Sequence, residues 1–218
     1  MEDPIYLDMK QYKRLKHFQY FCSLEMPYVG TTVETKITEF YHWTKQKNYP
    51  FFLSFLWCVS QAANTIPEFR QRIEGDELTG YQITEYPFCR TSHTVAKEDD
   101  TYSYCILDAR EAFTDYLKSA ATLQEQARQF GDIEEDETEA RSMIFISTLP
   151  WLTYTSLIQP TPIPADSNPR ITWGKFFIRD ESIYMPVTVL CHHALVDGKH
   201  IAAFYSGLES VMKELTYK

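Results

Sequence analysis

The stretch Pro186-Val187-Thr188-Val189-Leu190-Cys191-His192-His193-Ala194-Leu195-Val196-Asp197-Gly198-Lys199-His200 constrains the fold more than any other part of the chain. A β-branched apolar run ends in two histidines, and past them an Asp-Gly pair precedes a new amphipathic segment. The expected unit is a strand, a tight turn and a helix start. Adjacent strand residues face opposite sides, so His192 and His193 do not chelate one metal together; one can face a cavity and the other the body. Imidazole titrates near neutral pH, so a histidine fixed at a strand end beside an ordered carboxylate is a candidate general base. Asp-Gly also makes ordinary turns, and histidines at strand ends also serve as hydrogen-bonded packing. Which histidine acts, and whether either does, stays open on this stretch alone.

The rest of the pattern places that unit in an α+β chain. Residues 6–21 form an amphipathic opening, residues 31–37 alternate like a strand, and Thr38 is expected to cap a helix running to about Lys47. Phe51 to Ile66 reads as a buried helix, and Pro67-Glu68-Phe69-Arg70 as a short helical turn. Residues 80–107 are strand-like, with Lys97-Glu98-Asp99-Asp100 as the loop between two strands. A helix is expected from about Asp108 to Phe130, followed by an acidic loop at 132–139. Three strands follow: 143–147 continuing into 151–154, 171–178 and 183–191. A final helix carries Ile201, Phe204, Leu208, Met212 and Leu215 on one face. The Pro-rich segment 159–164 reads as a rigid surface loop, because strands lie close on both sides of it. The order predicts one two-layer domain over residues 1–218, a large mixed sheet with helices packed on it.

Composition narrows the partners. At 218 residues the chain is long enough for a sizeable core. A net charge of −9 with no Lys/Arg cluster argues against a nucleic-acid partner. Met1-Glu2-Asp3-Pro4 lacks the basic start of a signal peptide, and the apolar run Phe51 to Val59 is too short to span a bilayer. A soluble cytoplasmic protein away from membranes is expected, with no metal. Five cysteines with no C-x-x-C pair are expected to be reduced thiols, and Cys191 to be a packed one.

A second stretch, Phe145-Ile146-Ser147-Thr148-Leu149-Pro150-Trp151, reads alone as a strand ending in a turn hydroxyl. Together with His193-x-x-x-Asp197-Gly198 it resembles the chloramphenicol acetyltransferase family, marked by a Ser-x-x-Pro-Trp strand and a His-His-x-x-x-Asp-Gly motif. The resemblance keeps register along nearly the whole chain. Tyr12-Lys13-Arg14-Leu15-Lys16-His17-Phe18 is similar to the family's opening, Tyr49-Pro50 and Pro67-Glu68-Phe69-Arg70 to its next landmarks, and Ile171-Thr172-Trp173-Gly174-Lys175-Phe176 to its Thr-x-x-Lys-aromatic strand. The catalytic domain of dihydrolipoamide acyltransferases shares the His-x-x-x-Asp-Gly ending; the Ser-x-x-Pro-Trp strand favours the antibiotic-modifying branch.

The resemblance implies acetyl transfer from acetyl-CoA to a hydroxyl, most directly the 3-hydroxyl of chloramphenicol, without an acetyl-enzyme. His193 is implied as general base, Ser147 as donor to the oxyanion, Thr172 as holder of a nearby water, and Asp197 with Arg14 as a structural brace. Tyr20, Phe21, Glu25, Tyr102, Leu157 and Gln159 fall at acceptor-pocket positions, and Phe176 near the coenzyme. The assembly implied is a homotrimer with active sites at subunit interfaces. Glu25 and Gln159 depart from the family, which tends to have leucine at each, so either Glu25 turns to solvent or the acceptor differs. The alternatives are an acetyltransferase for another small hydroxyl or amine, and a non-catalytic trimer of the same fold; the intact His193, Ser147 and Asp197 argue against the latter.

Overall fold

The computed structural model describes residues 3–134 and 136–217. Ten strands and six helices follow one another as β1 (Ile5–Tyr6), α1 (Leu15–Cys22), β2 (Tyr28–Lys36), α2 (Thr38–Gln46), α3 (Phe51–Asn64), a 3-10 turn (Pro67–Phe69), β3 (Gln71–Glu74), β4 (Gln82–Glu85), β5 (Arg90–Ala96), β6 (Tyr102–Leu107), α4 (Phe113–Phe130), α5 (Glu137–Arg141), β7 (Met143–Leu149), β8 (Arg170–Gly174), β9 (Phe177–Arg179), β10 (Ser182–His192) and α6 (Gly198–Thr216). Seven strands make a mixed sheet in the order β2-β10-β8-β7-β5-β6, with β9 on β10; β1, β4 and β3 form a small antiparallel sheet. Strand β7 runs parallel to both neighbours, β5 and β8, and β10 antiparallel to β2, β8 and β9.

Helices pack on one face of the large sheet. Trp173 of β8 meets the rings of Phe52 and Phe55 from α3, at 5.6 and 5.1 Å between centroids. Val187, Val189 and Cys191 are buried on that side, and Phe204, Leu208, Met212 and Leu215 of α6 join the same core. The alternate residues of β10, Thr188 and His192, are buried as well. Burial on both faces explains why β10 reads as a nearly unbroken apolar run rather than a simple alternation.

The α+β architecture expected from the element order is the one observed, and several boundaries differ. Thr38 does not cap its helix: Ile37 is the N-cap, and the Thr38 hydroxyl accepts the Ile183 amide at 2.8 Å, tying α2 to β10. Helix α4 begins at Phe113, because Asp108 holds the preceding turn by accepting from the Arg110 amide at 3.1 Å. Residues 151–154 are not strand; Pro150 has no amide to continue the ladder after Leu149. The expected strand 171–178 divides into β8 and β9. The break follows Gly174, where a Cβ would sit 2.6 Å from the Leu152 carbonyl, and the Lys175 amide donates to that carbonyl at 2.7 Å. The acidic run contains the short helix α5, capped by Asp136, which accepts from the Thr138 and Glu139 amides. Strands β1 and β3, which the sequence pattern does not reveal, lie in the small sheet; at two and four residues they are too short to show a period. Among the described residues no helix is long and apolar enough to cross a membrane.

Candidate active site

The turn after β10 fixes the orientation and tautomer of His193. Its amide donates to the Pro27 carbonyl at 2.7 Å, pinning the turn to the residues leading into β2. Its ring Nδ1 lies 2.8 Å from the Val196 carbonyl. A carbonyl only accepts, so Nδ1 carries the hydrogen and the lone pair sits on Nε2. Phe21 of α1 stacks on the imidazole, 3.8 Å between centroids and 19° from parallel, and Tyr20 packs edge-on against Phe21 at 5.1 Å. His192 is held differently. Its Nδ1 accepts the Ala194 amide at 3.2 Å, and burial pulls its pKa down to about 4 against the opposing charge of Asp166, so it is a neutral packed group at pH 7.

Arg14 braces this turn from outside. Its Nη2 lies 3.1 Å from Asp197 Oδ2 and its Nη1 donates to the Leu195 carbonyl at 3.1 Å. Asp197 is also the N-cap of α6, accepting from the Lys199 amide, and its own amide donates to His200 Nδ1 at 3.1 Å in a capping box. With Nδ1 accepting, His200 carries its hydrogen on Nε2, which faces Glu68 Oε1 at 3.3 Å. Burial pushes the Asp197 carboxyl up, but His200, Arg14 and the Lys199 amide outweigh it and hold the group below the usual carboxylate range. Burial pulls His200 down, against Glu68 and Asp197. Arg14 and Asp197 therefore meet as expected. The extension through His200 to Glu68 was missed; its one signal in the sequence is a polar residue three places after an N-cap aspartate.

A row of hydroxyls crosses the sheet on the face away from the helices. Ser147 of β7 is level with Thr172 of β8, Thr172 with Thr188 of β10, and Thr188 with Thr32 of β2. The Thr32 and Thr188 hydroxyls lie 2.7 Å apart, Thr188 donates to the Tyr154 hydroxyl at 3.3 Å, and Tyr154 donates to the Thr172 carbonyl at 3.1 Å. Gln159 Nε2 donates to the Thr172 hydroxyl at 2.6 Å. Sequence reasoning found Ser147, Thr172 and Gln159 and passed over Tyr154, Thr188 and Thr32. Thr188 sits within an apolar run, where a lone hydroxyl reads as strand propensity.

A sequence model described as chloramphenicol acetyltransferase matches residues 5–209. The chain belongs to the chloramphenicol acetyltransferase family. This is a family of acyltransferase enzymes. The chloramphenicol acetyltransferase of Proteus mirabilis is 26% identical over 211 residues, covering 95% of this chain and 94% of that one. That of Bacillus pumilus is 28% identical over 197 residues, covering 89% and 87%. A solved chloramphenicol acetyltransferase superposes with a TM-score of 0.86 at 25% identity, covering 96% of this chain and all of the other. The dihydrolipoamide acetyltransferase of Azotobacter vinelandii, at a TM-score of 0.66 and 15% identity over 92% of this chain and 86% of that one, shares the fold.

For a chloramphenicol acetyltransferase family member, the separation of the two motif residues within one chain is informative. Thr188, level with Ser147 through Thr172, lies four residues before His192 on β10. Four residues at about 3.3 Å and two strand spacings of about 4.8 Å separate Ser147 from His192 by roughly 16 Å between Cα atoms. His193 lies one residue further on. Its ring and the Ser147 hydroxyl of the same chain therefore do not converge on one acetyl group.

The remaining expected positions are dispersed in the same way. Tyr20 and Phe21 accompany His193, while Gln159 accompanies Thr172, and Leu157 is half-buried two residues before it. Tyr102 lies on β6 at the sheet edge, 6.0 Å from the ring of Tyr104. Glu25 is exposed between α1 and β2, turned to solvent in the single chain. Phe176 packs against Tyr41 at 5.0 Å and is 37% exposed.

Proposed function

We propose that the chain is a single acyltransferase domain over residues 1–218 that moves acetyl from acetyl-CoA to a small hydroxyl acceptor, with the 3-hydroxyl of chloramphenicol as the first candidate. The carrying observation is the state of His193: Nδ1–H is committed to the Val196 carbonyl, Phe21 stacks on the ring, and the free lone pair is on Nε2. Family membership supports the reaction class and, with the names of the relatives, the choice of chloramphenicol. Cytoplasmic residence is part of the reading, supported by five free cysteines.

In this reading His193 Nε2 takes the proton of the acceptor hydroxyl as its oxygen bonds to the thioester carbonyl carbon. The tetrahedral intermediate places negative charge on the former carbonyl oxygen, and the Ser147 hydroxyl donates to it, a contact worth about 3 kcal/mol. The C–S bond then breaks, and the imidazolium returns the proton to the leaving thiolate. Arg14 and Asp197 keep the turn, and so the ring, in place. Thr172 stands beside the intermediate, and Phe176 offers a ring to the coenzyme. Because Ser147 and His193 of one chain are too far apart, the site is completed by a second copy: His193 from one subunit, and Ser147, Thr172, Leu157 and Gln159 with most of the pocket from its neighbour, in a closed trimer. Tyr20, Phe21, Glu25 and Tyr102 complete the acceptor pocket.

Thiol release from acetyl-CoA, followed with chloramphenicol and then with a panel of hydroxyl and amine acceptors, tests the reading. Turnover with chloramphenicol that falls at least 10³-fold in His193→Ala is the expected result. Turnover only with other acceptors would move the assignment to a different substrate. No release with any acceptor would leave a non-catalytic trimer.

A further inference from the structure

Buried polar groups without partners are rare, and one that sits in a proposed site asks for a ligand. Gln159 carries such a group. Its Nε2 is fixed on the Thr172 hydroxyl at 2.6 Å, while its Oε1 is buried with no hydrogen-bond partner among the described residues. The surroundings do not supply one. Tyr154 takes the Thr172 carbonyl and the Thr188 hydroxyl, and Thr32 closes the row, so these neighbours are engaged with one another. Thr172 is 1% exposed and level with Ser147, which brings Gln159 next to the residue that would face the acetyl group. An amide whose nitrogen is already held presents its oxygen in one direction, and an oxygen held in that way accepts from an O–H or N–H that a ligand brings. An apolar side chain at 159 could not do this.

We propose that Gln159 is a specificity-determining residue whose amide oxygen accepts a hydrogen bond from a second hydroxyl of the acceptor. The chain then selects small diols, a class that includes chloramphenicol, over acceptors whose only hydroxyl is the reacting one. The proposal rests on the acetyl-transfer reading, since that reading places the acetyl group beside Ser147 and Thr172. A site built to receive a donor rejects an analogue that lacks it, because the analogue leaves the buried oxygen unpaired.

The test compares chloramphenicol with its analogue lacking the second hydroxyl, by kcat/KM from thiol release and by calorimetric binding in the absence of acetyl-CoA. The wild-type protein is expected to prefer the diol by about 10- to 100-fold in both measurements. Gln159→Leu is expected to reduce the preference to below about threefold, while Gln159→Glu, which keeps an accepting oxygen, retains a clear preference. Should Gln159→Leu melt early, Gln159→Met repeats the measurement with another apolar side chain. An unchanged preference in the apolar variant, or no preference in the wild type, overturns the proposal. Binding read on His193→Ala keeps the two readings distinct. Loss of turnover in every acceptor with the binding preference intact sinks acetyl transfer alone, and turnover without any effect of Gln159 sinks this proposal alone.

Discussion

The two adjacent histidines differ because of which backbone group each ring nitrogen meets. His193 gives its Nδ1 hydrogen to a carbonyl and keeps a lone pair on Nε2; His192 accepts an amide on Nδ1 and is buried. Strand alternation predicted that only one would face a cavity, but not which, because the choice is made by the Pro27 and Val196 carbonyls and by Phe21, all outside the motif's pattern of residue types. The burial of His192 has a consequence for acid stability. Its pKa falls from 6.5 in the unfolded chain to about 4 in the fold. Below pH 6.5 the unfolded chain binds the proton first, so stability is lost as pH falls from about 6.5 to about 4 and is fully present above that window. At about 1.4 kcal/mol per unit, the loss is on the order of 3 kcal/mol. Urea unfolding at pH 7, 5.5 and 4.5, at one protein concentration, should show a smaller acid loss in His192→Gln than in the parent. Parallel curves would mean that His192 is protonated in the fold as readily as outside it.

At the scale of elements, the strand, turn and helix from β10 to α6 work as one piece because Asp197 has two jobs. It caps α6 through the Lys199 amide and pairs with Arg14, which also holds the Leu195 carbonyl. Asparagine keeps the cap and loses the charge, whereas alanine loses both. Asp197→Asn should therefore cut kcat by 10-fold or more with a small drop in melting temperature, and Asp197→Ala should lower stability by about a further 1 kcal/mol. Full activity together with an unchanged melt in Asp197→Asn would remove the brace from the account. This unit was legible in the sequence because its period, its turn residues and its cap agree over fifteen consecutive residues. Legibility failed where distant backbone decides. Thr38 looks like a cap but serves Ile183, and the run after Gly174 looks like one strand but is parted by the Leu152 carbonyl. The site was legible in its motif residues and not in its connections: His200, Tyr154 and Thr188 enter through contacts that no local spacing encodes.

At the scale of the molecule, the sheet itself keeps Ser147 and His193 of one chain apart, since their strands are two positions removed and their levels differ by four residues or more. Apolar side chains stand exposed near both: Tyr20, Leu24 and Met26 on the α1 side, and Trp151, Leu152 and Ile158 on the loop after β7. Such surfaces are ones that an assembly would cover. A closed trimer in which each site draws His193 from one copy and Ser147 from the next makes a prediction that one-chain catalysis cannot imitate. Ser147→Ala and His193→Ala should each be poorly active alone. Co-expressed and purified as mixed trimers, they should regain activity, because one of the three interfaces in each mixed trimer joins an intact His193 from the serine variant to an intact Ser147 from the histidine variant. Mixing the two after separate assembly should restore nothing until subunits exchange. Mixed trimers no more active than the average of the parents would show that the two residues do not serve one site across the interface.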